Sequence, residues 1–429
     1  MSSSHELKKG VSVYLIANII NASIPFILLP VMTRILSPEE YGEIAIFVTI
    51  IGAFSALVGV TFVGSVNRKF FDEIKLVDYG IFITSCIQLI ILATTITIIL
   101  VFLFLDKISQ FVLLDSKWVL VAVLVAFFNV IVTLRLGQWQ VKRKPLSYAF
   151  FQFFISSINA LLSIVAVVYL SLGAEGRMGG IFMASFFGAV ISIILISRQR
   201  GLRFFVFNKS YIKEIVLFGV PLVPHVAGGF LINSIDRVVI AAEIDLKAAG
   251  IYMAAIQLVL VASIIFDSVN KAFSPWLFDN LNNKSLRLNS KIVLGTYLWF
   301  LVIWLGVFIS FKLAPFLASF ILGADFREAA FLIGWLAVGQ AFKGMYLMVT
   351  NYCFYAKKTG CLSIISIVTG VLNVFLLIYF IRIAGVIGAA YAYSCSMALR
   401  FLAVWWLANR CHPMPWFTFF NANEILGSR

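Results

Sequence analysis

The sequence predicts an all-α integral membrane protein with about twelve transmembrane helices arranged in two six-helix lobes. Three bulk properties support this fold class: the mean hydropathy is +1.02, 62% of the residues are hydrophobic, and only 12% are charged. So few polar side chains cannot cover a water-soluble globule of 429 residues. The chain is therefore expected to expose much of its surface to lipid.

Apolar segments of roughly 20 residues, enough for a helix to cross about 30 Å of hydrocarbon, recur along the whole chain. The predicted spans are 12–34, 43–66, 79–105, 118–140, 147–170, 178–197, 215–240, 249–272, 291–312, 329–353, 360–382 and 385–408. The first span is too long for a signal-peptide core and lacks a small-x-small cleavage site, which favours a retained helix. The longest connections are shorter than a folded domain of about 50 residues, so no separate catalytic module is expected.

Basic residues are distributed unequally between the two faces of the predicted bundle. About eight cations lie in one alternating set of connections, and about 21 lie in the other set and at the two termini. The positive-inside rule therefore places both termini in the cytoplasm. The net charge of +14 is explained by this topology and by contact with anionic lipid, so nucleic acid is not an expected partner. The five cysteines show neither a CxxC pair nor metal-ligand spacing, and neither a disulfide nor a metal is expected.

The spans fall into two groups of six that are separated by a basic connection. The predicted division is an N-terminal lobe over 1–200, a cytoplasmic connection over 201–213, and a C-terminal lobe with a short cytoplasmic tail over 214–429. Six spans in each half give both halves the same orientation, as in parallel repeats related by an axis along the membrane normal. This arrangement predicts a central cavity between the lobes.

The two groups also begin alike. Span one contains Pro25 and Pro30 and ends at Arg34, and the next helix opens near Gly42. Span seven has the same order of features: Pro221, Pro224, Arg237 and then Gly250. Both spans are predicted to be helices broken by proline, which removes a backbone donor and bends the helix. Such breaks can act as hinges or as static kinks.

The residues at these two positions also carry a family resemblance. Ile16–Pro30, followed by Thr33–Gly42, resembles the N-terminal signature of the lipid-linked O-antigen and polysaccharide flippases. Ile235–Ile240, with Ala249–Tyr252, is similar to the seventh-helix segment of the same family. That family belongs to the multidrug/oligosaccharidyl-lipid/polysaccharide exporter superfamily, which also contains multidrug exporters and peptidoglycan-precursor flippases.

The resemblance implies a V-shaped transporter that alternates between inward-open and outward-open states. Its implied cargo is a polyprenyl-pyrophosphate-linked oligosaccharide, an O-antigen or similar surface-polysaccharide repeat unit, moved from the cytoplasmic to the periplasmic leaflet of the bacterial inner membrane. Such a protein is not an enzyme and needs neither catalytic residues nor a cofactor. Its implied partners are the lipid-linked glycan and membrane lipids, and glycan polymerase machinery is left open as a further partner.

Basic residues within the spans are the candidate substrate-binding groups. A charge at the bilayer centre costs about 2.5–3.5 kcal/mol on insertion scales, so each needs a partner, a wet cavity or a route to the surface. Lys343 is predicted near the midplane, facing the lumen or a structural partner. Arg135 and Arg400 lie nearer the cytoplasmic side, where snorkelling is the alternative. Arg34 and Arg237 end the two equivalent helices, where they can clamp a phosphate, anchor in headgroups or pair with an acid.

Two acids and one histidine are the candidates for ion coupling. They are Asp236, Asp267 and His225; the alternatives are a local ion pair of Asp267 with Lys271 and a structural histidine beside a kink. Cations outnumber acids at depth, and a cavity of that sign attracts an anionic headgroup and repels organic cations. A pyrophosphate-linked saccharide is therefore favoured. A cation-coupled multidrug antiporter, a peptidoglycan-precursor lipid flippase and a membrane-embedded glycan polymerase or ligase remain as alternatives.

Overall fold

A computed structural model describes residues 23–72, 76–198, 206–281 and 286–416. In these ranges the backbone forms helices joined by short turns, and no strand occurs. In the described ranges, eleven helical segments are long and apolar enough to cross a membrane, and a 3₁₀ turn interrupts one of them. A twelfth, shorter apolar helix begins at the first described residue. The all-α membrane fold predicted from hydropathy is therefore confirmed.

The helices were numbered along the chain. The first eleven are α1 (Ser23–Ile35), α2 (Pro38–Val58), α3 (Val60–Lys69), α4 (Leu76–Leu103), α5 (Leu105–Val112), α6 (Ser116–Val141), α7 (Pro145–Ile164), α8 (Gly173–Ser197), α9 (Lys209–Gly219), α10 (Val223–Asn233) and α11 (Ile235–Glu243). The remaining five are α12 (Leu246–Leu281), α13 (Leu286–Ile321), α14 (Ala330–Tyr355), α15 (Thr359–Ala384) and α16 (Val386–Cys411). A π-helical turn, Val165–Tyr169, extends α7, and a 3₁₀ helix, Ala324–Ala329, precedes α14.

The two spans predicted to be broken by proline behave differently. Span seven is interrupted as predicted, because α9 ends at Gly219, a 3₁₀ turn covers Val220–Leu222, and α10 follows. Pro221 lies in that turn, where its missing N–H and fixed φ disfavour a continuous α-helix. In span one, α1 runs without interruption through Pro30 to Ile35. The predicted break is wrong for this part of span one, whose residues 12–22 lie outside the described ranges.

A capping box sets the start of α2. Ser37 accepts a hydrogen bond from the Glu40 backbone N–H at 3.2 Å, and the Glu40 carboxylate accepts one from the Ser37 N–H at 2.8 Å. This reciprocal pair satisfies two of the N–H groups that a helix start leaves without partners. Glu40 also accepts a hydrogen bond from the Ala174 N–H at 3.3 Å. The motif thus fixes the start of α2 and joins it to the start of α8.

The two glycines that the sequence places at equivalent positions lie against each other. Gly42 is the fifth residue of α2, and Gly250 is the fifth residue of α12. A Cβ atom built on Gly250 would lie 2.9 Å from the backbone nitrogen of Gly42 and 3.0 Å from the carbonyl carbon of Pro38. The absence of a side chain on both residues therefore allows the backbones of α2 and α12 to approach closely.

The contacts divide the chain into one unit that ends at Met253 and another that begins at Ala254, a boundary inside α12. In the first unit, α6 packs against α2, α4 and α8, and α7 packs against α8. In the second unit, α14 packs against α13 and α16, and α15 packs against α16. The boundary lies later in the chain than the connection over 201–213, and the division into lobes over 1–200 and 214–429 stays a prediction.

Candidate functional site

Lys343 lies in the middle of α14 and bonds to a neighbouring helix. It is the fourteenth of the 26 residues of that helix, and its side chain is half-buried. Its Nζ donates a hydrogen bond of 2.6 Å to the Oγ atom of Ser263, a buried residue of α12. The charges of Asp267 and Arg400 both act on this ammonium group. The Ser263 hydroxyl is neutral and supplies no counter-charge to this ammonium group.

Arg400 of α16 is held by side chains from two other helices. Its Nη2 donates to the Tyr346 hydroxyl at 3.2 Å and to the Ser366 hydroxyl at 3.1 Å. Its guanidinium carbon lies 4.4 Å from the centre of the Tyr346 ring, a cation–π contact. Its buried Nε has no hydrogen-bond partner among the described residues. Arg400 is therefore oriented by neutral groups, and its Nε–H donor has no described partner.

These residues form a group that we call the C-unit cluster. Its members are Ser263, Asp267, Lys343, Tyr346, Ser366 and Arg400. Within the described ranges neither basic residue forms a salt bridge. Two cations and one acid give the cluster a positive balance.

Asp267 is an exposed acid within a membrane-spanning helix. Its carboxylate makes neither a hydrogen bond nor a salt bridge with any described residue, so the local pair with Lys271 that the sequence left open is not formed. Ser263, Asp267 and Asn270 share one face of α12 because they lie four and three residues apart. Asn270 accepts a hydrogen bond of 2.7 Å from the Asn351 amide of α14. The polar face of α12 thus continues beyond Asp267.

Arg135 of α6 is a buried predicted cation of the first unit, with 8% of its surface exposed. Its Nη1 donates to Gln138 at 3.0 Å, and its guanidinium carbon lies 4.2 Å from the centre of the Trp139 ring. Its Nε has no partner, and it forms no salt bridge, within the described part of the chain. A cation on the face of a desolvated tryptophan gains about 2 kcal/mol. Arg135 is therefore buried against an amide and an aromatic ring, with its charge uncompensated.

Lys142 extends this basic region beyond the end of α6. Burial lowers the pKa of Lys142, and the positive charges of Arg135 and Lys144 lower this pKa further. Its Nζ lies 6.0 Å from the centre of the Tyr79 ring. A bound anion would reduce the repulsion between these positive charges.

Asp236 and Arg237, predicted for ion coupling and substrate binding, contact each other. Asp236 accepts a hydrogen bond of 2.6 Å from the Tyr252 hydroxyl and one of 2.9 Å from the Arg237 backbone N–H. The Arg237 guanidinium lies 3.5 Å from the same carboxylate and donates to the Asn233 carbonyl at 3.0 Å. The pairing that the sequence left open is present, while ion coupling by Asp236 and substrate binding by Arg237 stay predictions.

Arg34 and His225 are the remaining two predicted site residues. Arg34 is exposed in the last turn of α1. His225 belongs to α10, but its side chain lies outside the described part of the structure.

Sequence reasoning missed the side chains that hold the cations. Trp139 follows Arg135 by four residues, so a search at helical spacing around Arg135 finds it. Tyr346 contacts Arg400 from a different helix, 54 residues away, so spacing around Arg400 does not indicate it. Ser263 and Ser366 come from other helices, and no local pattern indicates them. Arg177 falls one residue before the predicted span 178–197, whereas it lies in α8 and donates to Asn159 and Ser163 of α7.

Comparisons with known proteins agree with this membrane fold. The model of the family described as "Polysaccharide biosynthesis protein" matches residues 7–281. A Haemophilus influenzae protein named "Lsg locus putative protein 1" is 27% identical over 396 residues, which cover 88% of this chain and 94% of that protein. A second protein of the same organism, named "Uncharacterized membrane protein", is 26% identical over 396 residues, covering 89% of this chain and 94% of that protein.

Solved structures with a similar fold are transporters. An inward-facing multidrug resistance MATE family transporter of the MOP superfamily matches with a TM-score of 0.73 at 12% identity, over 96% of both chains. The lipid II flippase MurJ, in an inward closed conformation, matches with a TM-score of 0.72 at 16% identity, over 95% of this chain and 87% of that chain. At such low identity the similarity shows a shared fold.

Proposed function

Because this chain belongs to the polysaccharide biosynthesis protein family, whose model matches residues 7–281, we propose that it is a flippase for a lipid-linked glycan. The proposed cargo is a polyprenyl-pyrophosphate-linked oligosaccharide, an O-antigen or similar surface-polysaccharide repeat unit. The cargo moves from the cytoplasmic to the periplasmic leaflet of a bacterial inner membrane in which both termini of the chain are cytoplasmic. Its partners are this lipid-linked glycan, the surrounding lipids and, downstream, glycan polymerase machinery.

One observation carries the proposal: cations inside membrane-spanning helices are held by neutral side chains. Arg135, Lys343 and Arg400 bond to amide or hydroxyl groups, and none of them forms a salt bridge within the described ranges. A structural cation at this depth is expected to have a carboxylate partner, because an uncompensated charge there is costly. A pyrophosphate supplies the missing negative charge and accepts the remaining guanidinium donors.

The proposed mechanism involves binding and conformational change, with no covalent step. The sugar-pyrophosphate head passes over the polar faces of the helices, while the prenyl chain stays in an apolar environment. The 3₁₀ turn between α9 and α10 interrupts the helix and is a place at which it can bend. The chain is in this view a transporter and not an enzyme.

The alternatives differ in the charge of the cargo. A multidrug antiporter for organic cations needs acids available to the cargo, and Asp236 is already bonded to Tyr252 and Arg237. Asp267 is the remaining predicted acid, and its charge acts on that of Lys343. A peptidoglycan-precursor flippase carries the same pyrophosphate on a different glycan, so the two are separated by offering both lipids to the protein.

A reconstituted transport assay tests the proposal. The purified chain is placed in vesicles with a fluorescent polyprenyl-pyrophosphate-linked saccharide, and movement between leaflets is followed by quenching from outside. Lys343→Ala is expected to slow transport by roughly tenfold or more, because a hydrogen bond to a charged group contributes about 1.5–3 kcal/mol. Lys343→Arg keeps the charge and is expected to retain more transport. Lys312→Ala, at an exposed lysine of α13, is the matched control.

A second pair of variants separates cargo binding from a general loss of charge. Arg400→Ala removes a guanidinium of the C-unit cluster, whereas Arg410→Ala removes an exposed one that stacks on Trp406. Only the first is expected to slow transport. Transport of the saccharide by Lys343→Ala and Arg400→Ala at the wild-type rate, with normal protein levels, would remove the C-unit cluster from the cargo path.

A further inference from the structure

An apolar groove lies in the second unit among α12, α13 and α14. It encloses about 300 Å³, at the lower end of the range of about 300–1,000 Å³ typical of ligand pockets. Its walls are almost entirely hydrocarbon, and Ser310 is the one hydroxyl among the described residues that line it. The groove is therefore suited to an apolar chain and not to a sugar.

Small residues give the groove its depth. Ala337 and Ala341 lie one turn apart on α14, and Gly306 faces them from α13. A Cβ atom built on Gly306 would have no described atom within 4 Å. The space next to Gly306 is therefore empty, and a larger side chain at this position would occupy it. Glycine in a helix costs about 1 kcal/mol relative to alanine, and this one creates room.

The groove ends where the C-unit cluster begins. Phe266 lines the groove, and it lies directly before Asp267 on α12. A Cβ atom on Gly344, the residue after Lys343, would lie 2.9 Å from the Phe266 ring. On α12 every groove residue precedes Asp267, and on α14 every groove residue precedes Lys343, so the groove runs from these two charged residues towards the starts of the helices. A single molecule that occupies both the groove and the C-unit cluster must therefore have an anionic head attached to an apolar tail.

We propose that this groove binds the part of the polyprenyl chain nearest the pyrophosphate while Lys343 and Arg400 hold the head. The inference rests on the proposed function and adds a second contact to the same cargo. One narrow groove beside two cations fits a single chain attached to two phosphates. A glycerophospholipid instead brings two chains and a single phosphate. With the predicted orientation of α12 and α14, the chain points away from the cytoplasmic side, as in a lipid of the cytoplasmic leaflet.

Photolabelling of the full chain in phospholipid nanodiscs tests this assignment. The probe is a polyprenyl pyrophosphate, without sugar, that carries a diazirine on its prenyl chain close to the head. Label is expected in the peptide of α13 that contains residues 299–310. Unlabelled polyprenyl pyrophosphate is expected to abolish it, whereas the same amount of phosphatidylglycerol leaves it unchanged.

Two leucine substitutions on α13 provide the matched comparison. Gly306→Leu fills the groove, and it is expected to reduce labelling by roughly tenfold, the effect of excluding about two methylene-sized groups from burial. Gly295→Leu lies three turns away on the same face of α13, outside the groove, and a Cβ there also has no described atom within 4 Å. It is expected to label like the wild-type protein, and both leucines favour the helix over glycine.

The outcomes distinguish this inference from the proposed function. Equal competition by phosphatidylglycerol, or wild-type labelling of Gly306→Leu, would show that the groove holds ordinary lipid and would overturn the inference. If either of these results were found and transport still depended on Lys343, the flippase proposal would remain valid and only chain binding in the groove would be rejected. If the groove labels as expected but the wild-type chain moves no glycan between leaflets, the inference on chain binding survives and the flippase proposal fails.

Discussion

The close approach of α2 and α12 yields a prediction whose size follows from the structure. A Cβ atom on Gly42 would lie 2.8 Å from the carbonyl carbon of Leu246, and one on Gly250 would lie 2.9 Å from the Gly42 nitrogen. The obstructing atoms belong to the backbone, so no side-chain rotation can relieve the overlap. Gly42→Ala and Gly250→Ala therefore force the two helices apart.

Forced overpacking of this kind costs about 1–3 kcal/mol, and each substitution is expected to lower the free energy of unfolding by that amount. The double substitution is expected to cost less than the sum, since both act on the same contact and the helices need to separate only once. Gly229→Ala is the control, because a Cβ on this glycine of α10 has no described atom within 4 Å. It is expected to be neutral or stabilising by up to about 1 kcal/mol.

Reversible unfolding by SDS in mixed detergent micelles measures these differences for a membrane protein in solution. The expected order of stability, from highest to lowest, is Gly229→Ala, wild type, then Gly42→Ala and Gly250→Ala. It would be refuted if Gly42→Ala and Gly250→Ala were as stable as Gly229→Ala, or if their effects added in full.

Three further predictions concern the charged groups. Asp236→Asn is expected to lower the free energy of unfolding by about 1–3 kcal/mol, because the Asp236 carboxylate accepts two hydrogen bonds. Asp267→Asn is expected to stay within about 0.5 kcal/mol of wild type. The same SDS titration measures both variants, and equal losses of stability would contradict the different roles given to these two acids. Arg135→Met removes a buried charge that lacks a carboxylate partner, so the free energy of unfolding is expected to stay unchanged or to rise by about 1–3 kcal/mol. Transport in vesicles is expected to fall. Transport at the wild-type rate would exclude Arg135 from the cargo path. Burial lowers the pKa of Lys142, and the charge of Arg135 lowers it further. Arg135→Gln is therefore expected to raise this pKa, to increase the protonated fraction of Lys142 at pH 8 and to slow its acetylation. Mass spectrometry measures the acetylation of Lys142 relative to an exposed lysine, and faster acetylation in the variant would show that loss of burial dominates.

The membrane fold was predictable from the sequence because each span is a local property. Twenty apolar residues form a helix in lipid whatever surrounds them, since the bilayer leaves the backbone no other hydrogen-bond partner. The predicted ends agree with α6, α14 and α16 to within a few residues. The family assignment followed from the segment around Gly42, and the match to the polysaccharide biosynthesis family confirms that resemblance.

The break at Pro221 was also local, because it depends on the missing N–H of that residue. The same argument failed for Pro30, which α1 accommodates without an interruption in its described part. Neighbouring groups in a membrane protein can satisfy the carbonyl that proline frees. Proline therefore predicts a weak point in a helix, and the surroundings decide whether the helix is interrupted there.

The partners of the charged residues were not predictable, because they come from distant parts of the chain. Lys343 was placed correctly at the centre of its helix, but its bond to Ser263 spans 80 residues. Asp236 and Arg237 are adjacent in the sequence, which is compatible with either a binding site or an ion pair between them. The hydrogen bond that Asp236 accepts from Tyr252 favours the ion pair. Sequence thus located the charges along each helix, and only the packing of helices showed which of them lack a counter-charge.

The most direct test of the flippase proposal is the leaflet distribution of the lipid-linked glycan in cells that lack this chain. The polyprenyl-linked saccharide is labelled, and a reagent that cannot cross the inner membrane then reports the fraction exposed on the periplasmic side. The proposal predicts accumulation in the cytoplasmic leaflet that is reversed by the intact chain and not by Lys343→Ala. An unchanged distribution would contradict it and would direct attention to drug efflux and to Asp267.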